Sequence, residues 1–416
     1  MSLFARTVER LQLQFGSPDP EKRLSPDAKV SLLVHFCFQI GASMSSVFLN
    51  LYLWRLTESL FINGMYYIIL YALSPLFFAV AGKIAKMRDR MVVYRIGIAM
   101  YAVFFLLVVL TQERVADYYM LFAVMHSISG AFYWTAYLTL MYDVSNDRNR
   151  IRYLGFNSIA FMSATLTGPV IAAFLFSQIG GLQGYVVVFG IAFVMYALTA
   201  ALSFRIRTES NAHKSYYLHL MPLLLRKNRD WLRCLTAFFL LGLLQGIMLF
   251  VPNILLFLVV PREDAVGYLG MLFSAAAITV SYLLTRVARE ERARTYVYRA
   301  AIGYTAGSAL LLFDLSVATV IGFMLIHSLC NPLHGNTLTS YMYRMIGQLP
   351  LQGQLRIESM VMRETFLNAG RVVSITMLIV LASDLAGSML AWVLIGGSLM
   401  QFGVVWMIRK NGAGVS

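Results

Sequence analysis

Charged side chains are scarce in this sequence. Asp, Glu, Lys and Arg make up 13% of its 416 residues, while 59% are hydrophobic and the mean hydropathy is +0.69. A water-soluble domain keeps roughly a quarter of its residues charged, so this composition excludes one. Cysteine is nearly absent. Cys37, Cys234 and Cys330 sit in or beside apolar runs, at spacings that frame neither disulfides nor a zinc site, and they read as packing residues. The chain also lacks a Gly-rich phosphate loop ending in Gly-Lys-Ser/Thr, His-Glu-x-x-His, Gly-x-Ser-x-Gly and paired membrane aspartates. These absences disfavour a nucleotide-driven pump and a membrane-embedded enzyme, and no cofactor is expected. The first 28 residues lack a cleavable signal, because Asp19-Pro20-Glu21-Lys22-Arg23 interrupts any apolar run.

What the sequence has instead is long continuous apolar stretches. A membrane-crossing helix needs roughly 20 mostly apolar residues. Twelve such segments are read at 29–56, 60–82, 92–111, 118–142, 153–177, 185–205, 232–259, 267–286, 297–313, 317–343, 362–383 and 388–408. Their continuity excludes barrel strands, which would alternate in polarity. Lys and Arg crowd every second connection and both tails, whereas the others hold only Arg55, Arg114 and Arg262. By the positive-inside rule both termini are cytoplasmic. The net charge of +14 is thus a topology signal rather than a nucleic-acid-binding face. Phe4, Val8, Leu11 and Phe15 recur at helical spacing, so residues 3–15 could lie on the inner membrane surface or form a disordered tail. Ser25-Pro26-Asp27 reads as an N-cap with proline at the first helical position.

The longest polar connection separates six spans from six. The expected organisation is a tail at 1–28, a six-helix bundle at 29–205, a cytoplasmic linker at 206–231, a second bundle at 232–408 and a short tail at 409–416. Thr208-Glu209-Ser210-Asn211 opens the polar part of the linker. The halves repeat weakly. Met125-His126-Ser127-Ile128 matches Ile326-His327-Ser328-Leu329, and Met141-Tyr142 matches Met342-Tyr343, both at an offset of 201. Lys83-Ile84-Ala85-Lys86 matches Arg286-Val287-Ala288-Arg289, and Asn50 matches Asn253, at an offset of 203. Internal repeats of this kind mark transporter folds.

Twelve spans, inward termini, a central linker and a six-plus-six repeat resemble the major facilitator superfamily. The resemblance implies an all-α membrane protein of two pseudo-symmetric six-helix bundles that rock about a midplane site. Local motifs are similar too. Gly82-Lys83-Ile84-Ala85-Lys86-Met87-Arg88-Asp89-Arg90 resembles the superfamily's loop between the second and third spans, which latches the inner gate. Here Lys86 stands where that loop usually has aspartate, and Asp89 replaces a usual glycine, so Asp89 and Arg90 would serve the latch differently or weaken it. Ordinary positive-inside charge is the plainer reading of the cluster. In His126-Ser127-Ile128-Ser129-Gly130, His126 takes a position usually held by arginine. Ala164 to Ala173, containing Gly168-Pro169, resembles a small-residue version of the fifth-span motif of exporters, a slight lean toward efflux.

Ionisable side chains at membrane depth are costly and usually face a partner or a watery path. His35, His126, His327 and His334 all fall in apolar spans. His126 shares a helical face with Trp134, and His327 with Asn331 and His334. In the superfamily's fold, the first, fourth, seventh and tenth spans line the cavity, so His126 and His327 would confront each other as substrate ligands or protonation sites. Helix–helix hydrogen bonds are the plainer reading. Glu364, Asn368 and Arg371 recur at i, i+4 and i+7 in the eleventh span, with Arg371 roughly 14 Å inside at 1.5 Å per residue. Its guanidinium cannot lose its proton, so it needs an anion, either Glu364 or an acidic group on the substrate. Gln39, Asn50, Gln245 and Asn253 would add hydrogen bonds.

The expected function is secondary transport of a small anionic, zwitterionic or amphiphilic solute by a monomer in the cell membrane, with protons coupled through His126, His327 or Glu364. Gly82, Asp89, Arg90, Gly168 and Pro169 are the expected gating positions. Divalent-metal transport through His35, His327, His334, Cys37 and methionines is the alternative, as is a non-transporting sensor or scaffold.

Overall fold

The computed structural model describes residues 23–145, 149–207, 215–287, 290–350, 355–381 and 388–408. The features expected at residues 3–15, Thr208 to Asn211 and the C-terminal tail lie outside these. Among the described residues every regular element is helical. Six long helices form the N-terminal bundle: α1 Pro26–Thr57, α2 Leu60–Met87, α3 Arg90–Thr111, α4 Tyr119–Asp143, α5 Arg150–Ile179 and α6 Gly181–Ser203. The short α7, Met221–Lys227, lies in the connection between the halves. The C-terminal bundle holds α8 Arg229–Met248, α9 Val251–Val259, α10 Glu263–Val287, α11 Ala293–Leu310, α12 Val317–Gly347, α13 Arg356–Leu381, α14 Ser388–Leu399 and α15 Gln401–Met407. Among the described residues, ten helices or helix pairs are long and apolar enough to cross a bilayer. With α4 and the short, polar-flanked α11 they complete twelve crossings.

Local chemistry fixes the starts and joints. Ser25 accepts a hydrogen bond from the Ala28 N–H at 3.1 Å, and Pro26, which has no N–H to leave unpaired, opens α1. The sharp turn from α5 into α6 uses Gly180 and Gly181 at φ 62° and 56°, a left-handed conformation that a Cβ resists. The seventh span, expected as one helix, is broken between α8 and α9. Pro252 lacks the N–H that would bond the Met248 carbonyl, and at the break the Phe250 carbonyl accepts from Asn50 Nδ2 of α1 at 3.3 Å. The twelfth span breaks at Met400, where Gln401 donates to the carbonyls of Leu240 and Gly397.

The N-terminal bundle is packed with aromatic rings. Phe38 stacks on Tyr133 at 3.4 Å, and Tyr101 and Phe105 both stack on Tyr196. Gly97 lets α3 approach α4, since a Cβ there would collide with the backbone nitrogen of Tyr133. In the C-terminal bundle, α8 and α13 meet backbone to backbone at Gly242 and Gly370. The bundles join along α2 against α13 and α5 against α10, with α1 touching α9.

Candidate functional site

The glycines of α8 and α13 set the geometry of the centre. Cβ atoms at Gly242, Gly246 or Gly370 would collide with the partner helix, so these side-chain-free positions hold Gln245 of α8 beside Arg371 of α13. Arg371 Nη2 donates to Gln245 Oε1 at 2.7 Å, and Nη1 donates to Asn368 Oδ1 at 2.9 Å. The guanidinium lies 4.8 Å from the centroid of the Tyr71 ring, which comes from α2 in the other bundle. Arg371 Nε is buried without a hydrogen-bond partner.

The direct pair between Arg371 and Glu364, one of the two partners the sequence offers, does not form. Two helical turns separate them, and Asn368 fills the gap: its Nδ2 donates to Glu364 Oε2 at 3.4 Å while its Oδ1 receives Arg371. Glu364 instead pairs with Arg363 at 3.2 Å. Among the described residues no carboxylate lies within ion-pair distance of Arg371.

A wall of rings flanks this centre. Tyr67 stacks on Tyr71 at 5.9 Å and, across the bundles, on Phe250 at 4.9 Å. Asn50, fully buried, spends its amide on the Phe250 carbonyl and leaves Oδ1 without a partner. Asn253 is half-buried one turn into α9. Gln39 of α1 donates to Thr165 of α5 at 3.2 Å, a contact within one bundle. Trp134 packs with Phe78, Ala131 and Val361, joining α4 to α13.

The histidines are held locally, which corrects the expectation that His126 and His327 face each other. His126 Nδ1 is 2.8 Å from the Tyr66 hydroxyl, and its ring packs on Tyr101 and Phe104, all in the N-terminal bundle. His327 lies against Tyr304 and Phe323 of the C-terminal bundle. The face expected to unite His327, Asn331 and His334 is uneven: Asn331 is exposed, whereas His334 is fully buried beside Tyr304 with both ring nitrogens unpartnered. His35 is bound through Nδ1 to Asn157 Oδ1 at 2.9 Å, and Asn157 donates onward to the Tyr137 hydroxyl. Among the described residues no group of three or more His, Cys, Asp or Glu side chains could hold a metal ion.

Both ends of the bundle interface carry ion pairs. On the face where the linker runs, Lys86 Nζ of α2 meets Glu358 Oε1 of α13 at 2.5 Å, and Glu358 is wholly buried. The linker closes over this pair. Lys86 also donates to the Ser215 carbonyl, the Tyr217 N–H donates to Glu358 at 3.0 Å, and the Tyr216 hydroxyl donates to the Ala79 carbonyl at 3.1 Å. Gly82 makes room, since a Cβ there would lie 2.9 Å from Ile357 Cγ2 and 3.2 Å from the Tyr216 hydroxyl. Asp89 accepts from the Met91 N–H at 2.9 Å and caps α3, which Arg90 begins. Glu358 escaped the sequence reading, although a lysine in the loop's acidic position called for an acid across the interface.

On the opposite face, Arg55 of α1 approaches Glu263 of α10 at 3.6 Å, with Tyr185 of α6 at 3.5 Å from the same oxygen. Gly168 accommodates Ser43 and Met44 of α1, and Gly267 of α10 sits against the Pro169 carbonyl and Ala173.

A family model described as Major Facilitator Superfamily matches residues 31–354. The chain belongs to that superfamily. Among relatives, it is 28% identical over 368 residues to YqgE, an uncharacterised protein of Bacillus subtilis (strain 168), covering 88% of this chain and 84% of that one. Its fold is similar to the nucleoside transporter NupG, with a TM-score of 0.72 at 12% identity, covering 92% of this chain and all of that one. A D-xylose–proton symporter gives a TM-score of 0.72 at 10% identity, covering 92% and 98%. The chain is therefore a multi-pass membrane protein of a transporter superfamily, and its departures from the superfamily's loop pattern acquire a structural meaning: the lysine at position 86 is matched by a buried acid on the facing bundle.

Proposed function

We propose that this superfamily member is a secondary transporter of a small organic anion, which binds at Arg371 between the bundles. One observation carries the reading. Arg371 is a permanent cation in a membrane-spanning helix, and its partners are two neutral amides and a tyrosine ring. A half-buried charge at membrane depth left without a counter-charge is costly, and a substrate anion supplies one. Tyr71 belongs to one bundle and Arg371 to the other, so binding there couples to their rocking.

In this reading the linker face is cytoplasmic in the cell membrane. Lys86–Glu358 closes the inner side, Arg55–Glu263 closes the outer side, and the monomer works alone. Protons couple through Glu364, which reaches Arg371 by way of Asn368, with His126 and His327 as further protonation sites. Gly82, Gly168 and Pro169 serve the gates, and the fifth-span motif favours export. Asn50, Trp134 and Asn253, on elements that meet the facing bundle, complete the solute's surroundings.

The test is transport into liposomes of purified protein with anionic, zwitterionic, cationic and neutral solutes. Uptake of an anion that Arg371→Gln abolishes, with the variant still folded, is the expected result; normal transport by that variant removes the anion site. Movement that is only downhill and indifferent to an imposed pH gradient removes proton coupling.

A further inference from the structure

Resting on Arg371 as the anion site, we infer that its ligand is a monocarboxylate carrying a flat, preferably aromatic, apolar group. The argument starts from counting donors. A guanidinium has five N–H groups in a planar fork. Two are engaged, by Gln245 and Asn368, and both engaged donors are on Nη atoms. The Nε–H is buried and unpartnered. Nη2, beside it, has two N–H groups and gives one to Gln245; with the other turned to the Nε side, the edge makes the two-pronged arrangement that a carboxylate fills with two parallel hydrogen bonds.

Charge decides between a monoanion and a dianion. While Glu364 is ionised it is matched by Arg363, so in that state the pair adds nothing net. Among the described residues, Arg371 thus presents one uncompensated positive charge. A monoanion neutralises it; a phosphate monoester or dicarboxylate would bring a second negative charge with no cation to meet it, which a low-dielectric interior penalises.

The surroundings specify the rest of the molecule. One face of the guanidinium is covered by Tyr71 at 4.8 Å. Tyr71 continues through Tyr67 to Phe250, a row of rings that spans both bundles. Aromatic pairs favour offset or edge-on contact and bury a flat group without leaving polar atoms unpaired. These rings are buried as they stand, so a ligand whose carboxylate takes the Nε edge and whose flat body lies along this row would enter as the bundles part and touch α2, α9 and α13 together.

The test is ligand-induced thermal stabilisation and calorimetric binding on the detergent-purified full chain, using benzoate, benzamide, phenyl phosphate, succinate and acetate as probes. Benzoate is expected to bind, with acetate at least about tenfold weaker and benzamide, phenyl phosphate and succinate without effect. Arg371→Gln is expected to lose benzoate. Arg371→Lys keeps the charge but not the fork, and should bind about tenfold more weakly. Tighter binding of phenyl phosphate or succinate than of benzoate would overturn the monocarboxylate while leaving an anion site at Arg371. Equal benzoate affinity in the lysine variant would overturn the two-pronged geometry. Binding of none of the anions would overturn both. The comparison of benzoate with benzamide and phenyl phosphate uses the wild-type chain alone, so it stands even if a variant fails to fold.

Discussion

Lys86 and Glu358, 272 positions apart in the sequence, meet at 2.5 Å between the two bundles with Glu358 completely buried. Removing one partner of a buried pair leaves an uncompensated charge, at a cost of about 3–5 kcal/mol. Lys86→Met should therefore reduce the closed-to-open ratio at the linker face by more than about a hundredfold. The readout is the labelling rate of a single cysteine placed at Ile357, which should rise. The double reversal Lys86→Glu with Glu358→Lys should restore slow labelling. Unchanged labelling in Lys86→Met would show that the pair does not close this face.

The pair on the opposite face should matter less. Arg55 and Glu263 are 3.6 Å apart with side chains 38% and 13% exposed, a separation and solvation at which an ion pair contributes about 0–1 kcal/mol. Glu263→Gln should shift the corresponding accessibility by no more than about fivefold. Spin-label distances across the two faces would compare both pairs in one sample.

The linker clasp should be insensitive to pH across the neutral range. Burial and the Glu358 carboxylate both raise the Tyr216 phenol above its ordinary value, because each disfavours the phenolate. A raised folded-state value means that the hydroxyl's contribution is complete below about pH 10 and falls only as pH rises beyond it. Labelling at Ile357→Cys should stay flat from about pH 6 to 9 once corrected for the intrinsic thiolate fraction.

Gly97→Ala should lower the unfolding midpoint in detergent, since its methyl group would press on the Tyr133 backbone, 2.9 Å from its Cα. Overpacking of this kind typically costs about 1–3 kcal/mol. Gly155→Ala has open space around it and should cause no loss. Equal midpoints for the two variants would contradict the tight α3–α4 approach.

Asn368→Ala separates Glu364 from Arg371 without removing either charge. If proton coupling passes along this chain, the variant should still carry solute downhill in liposomes but lose accumulation driven by a pH gradient. Retained accumulation would move the coupling site elsewhere.

The helices were legible because each apolar run is long and its ends carry chemistry: Ser25 caps α1 and Pro26 opens it, as their order suggests. The break of the seventh span was less visible, although Pro252 was its signal, because a proline in an apolar run does not say which residue will bond the backbone at the break. That residue is Asn50, 200 positions earlier. Helical spacing likewise showed which residues share a face with His126, but not that Tyr66 from α2 would take its nitrogen. At Arg371 the spacing offered Glu364 two turns away. The intervening amide and a glutamine on another helix supplied the contacts instead, and only the packed glycines of α8 and α13 decide that.

Residues 215–217 touch α2 and α13 at once, so if the bundles rock as proposed, the segment joining the halves works as a part of the gate rather than a tether. Swinging the linker face open must strip Tyr216 and Tyr217 from their seats, and the strength of those seats sets part of the opening rate. Two half-chains expressed separately would then differ in behaviour according to which half kept this tripeptide, even though every membrane helix was present in both cases.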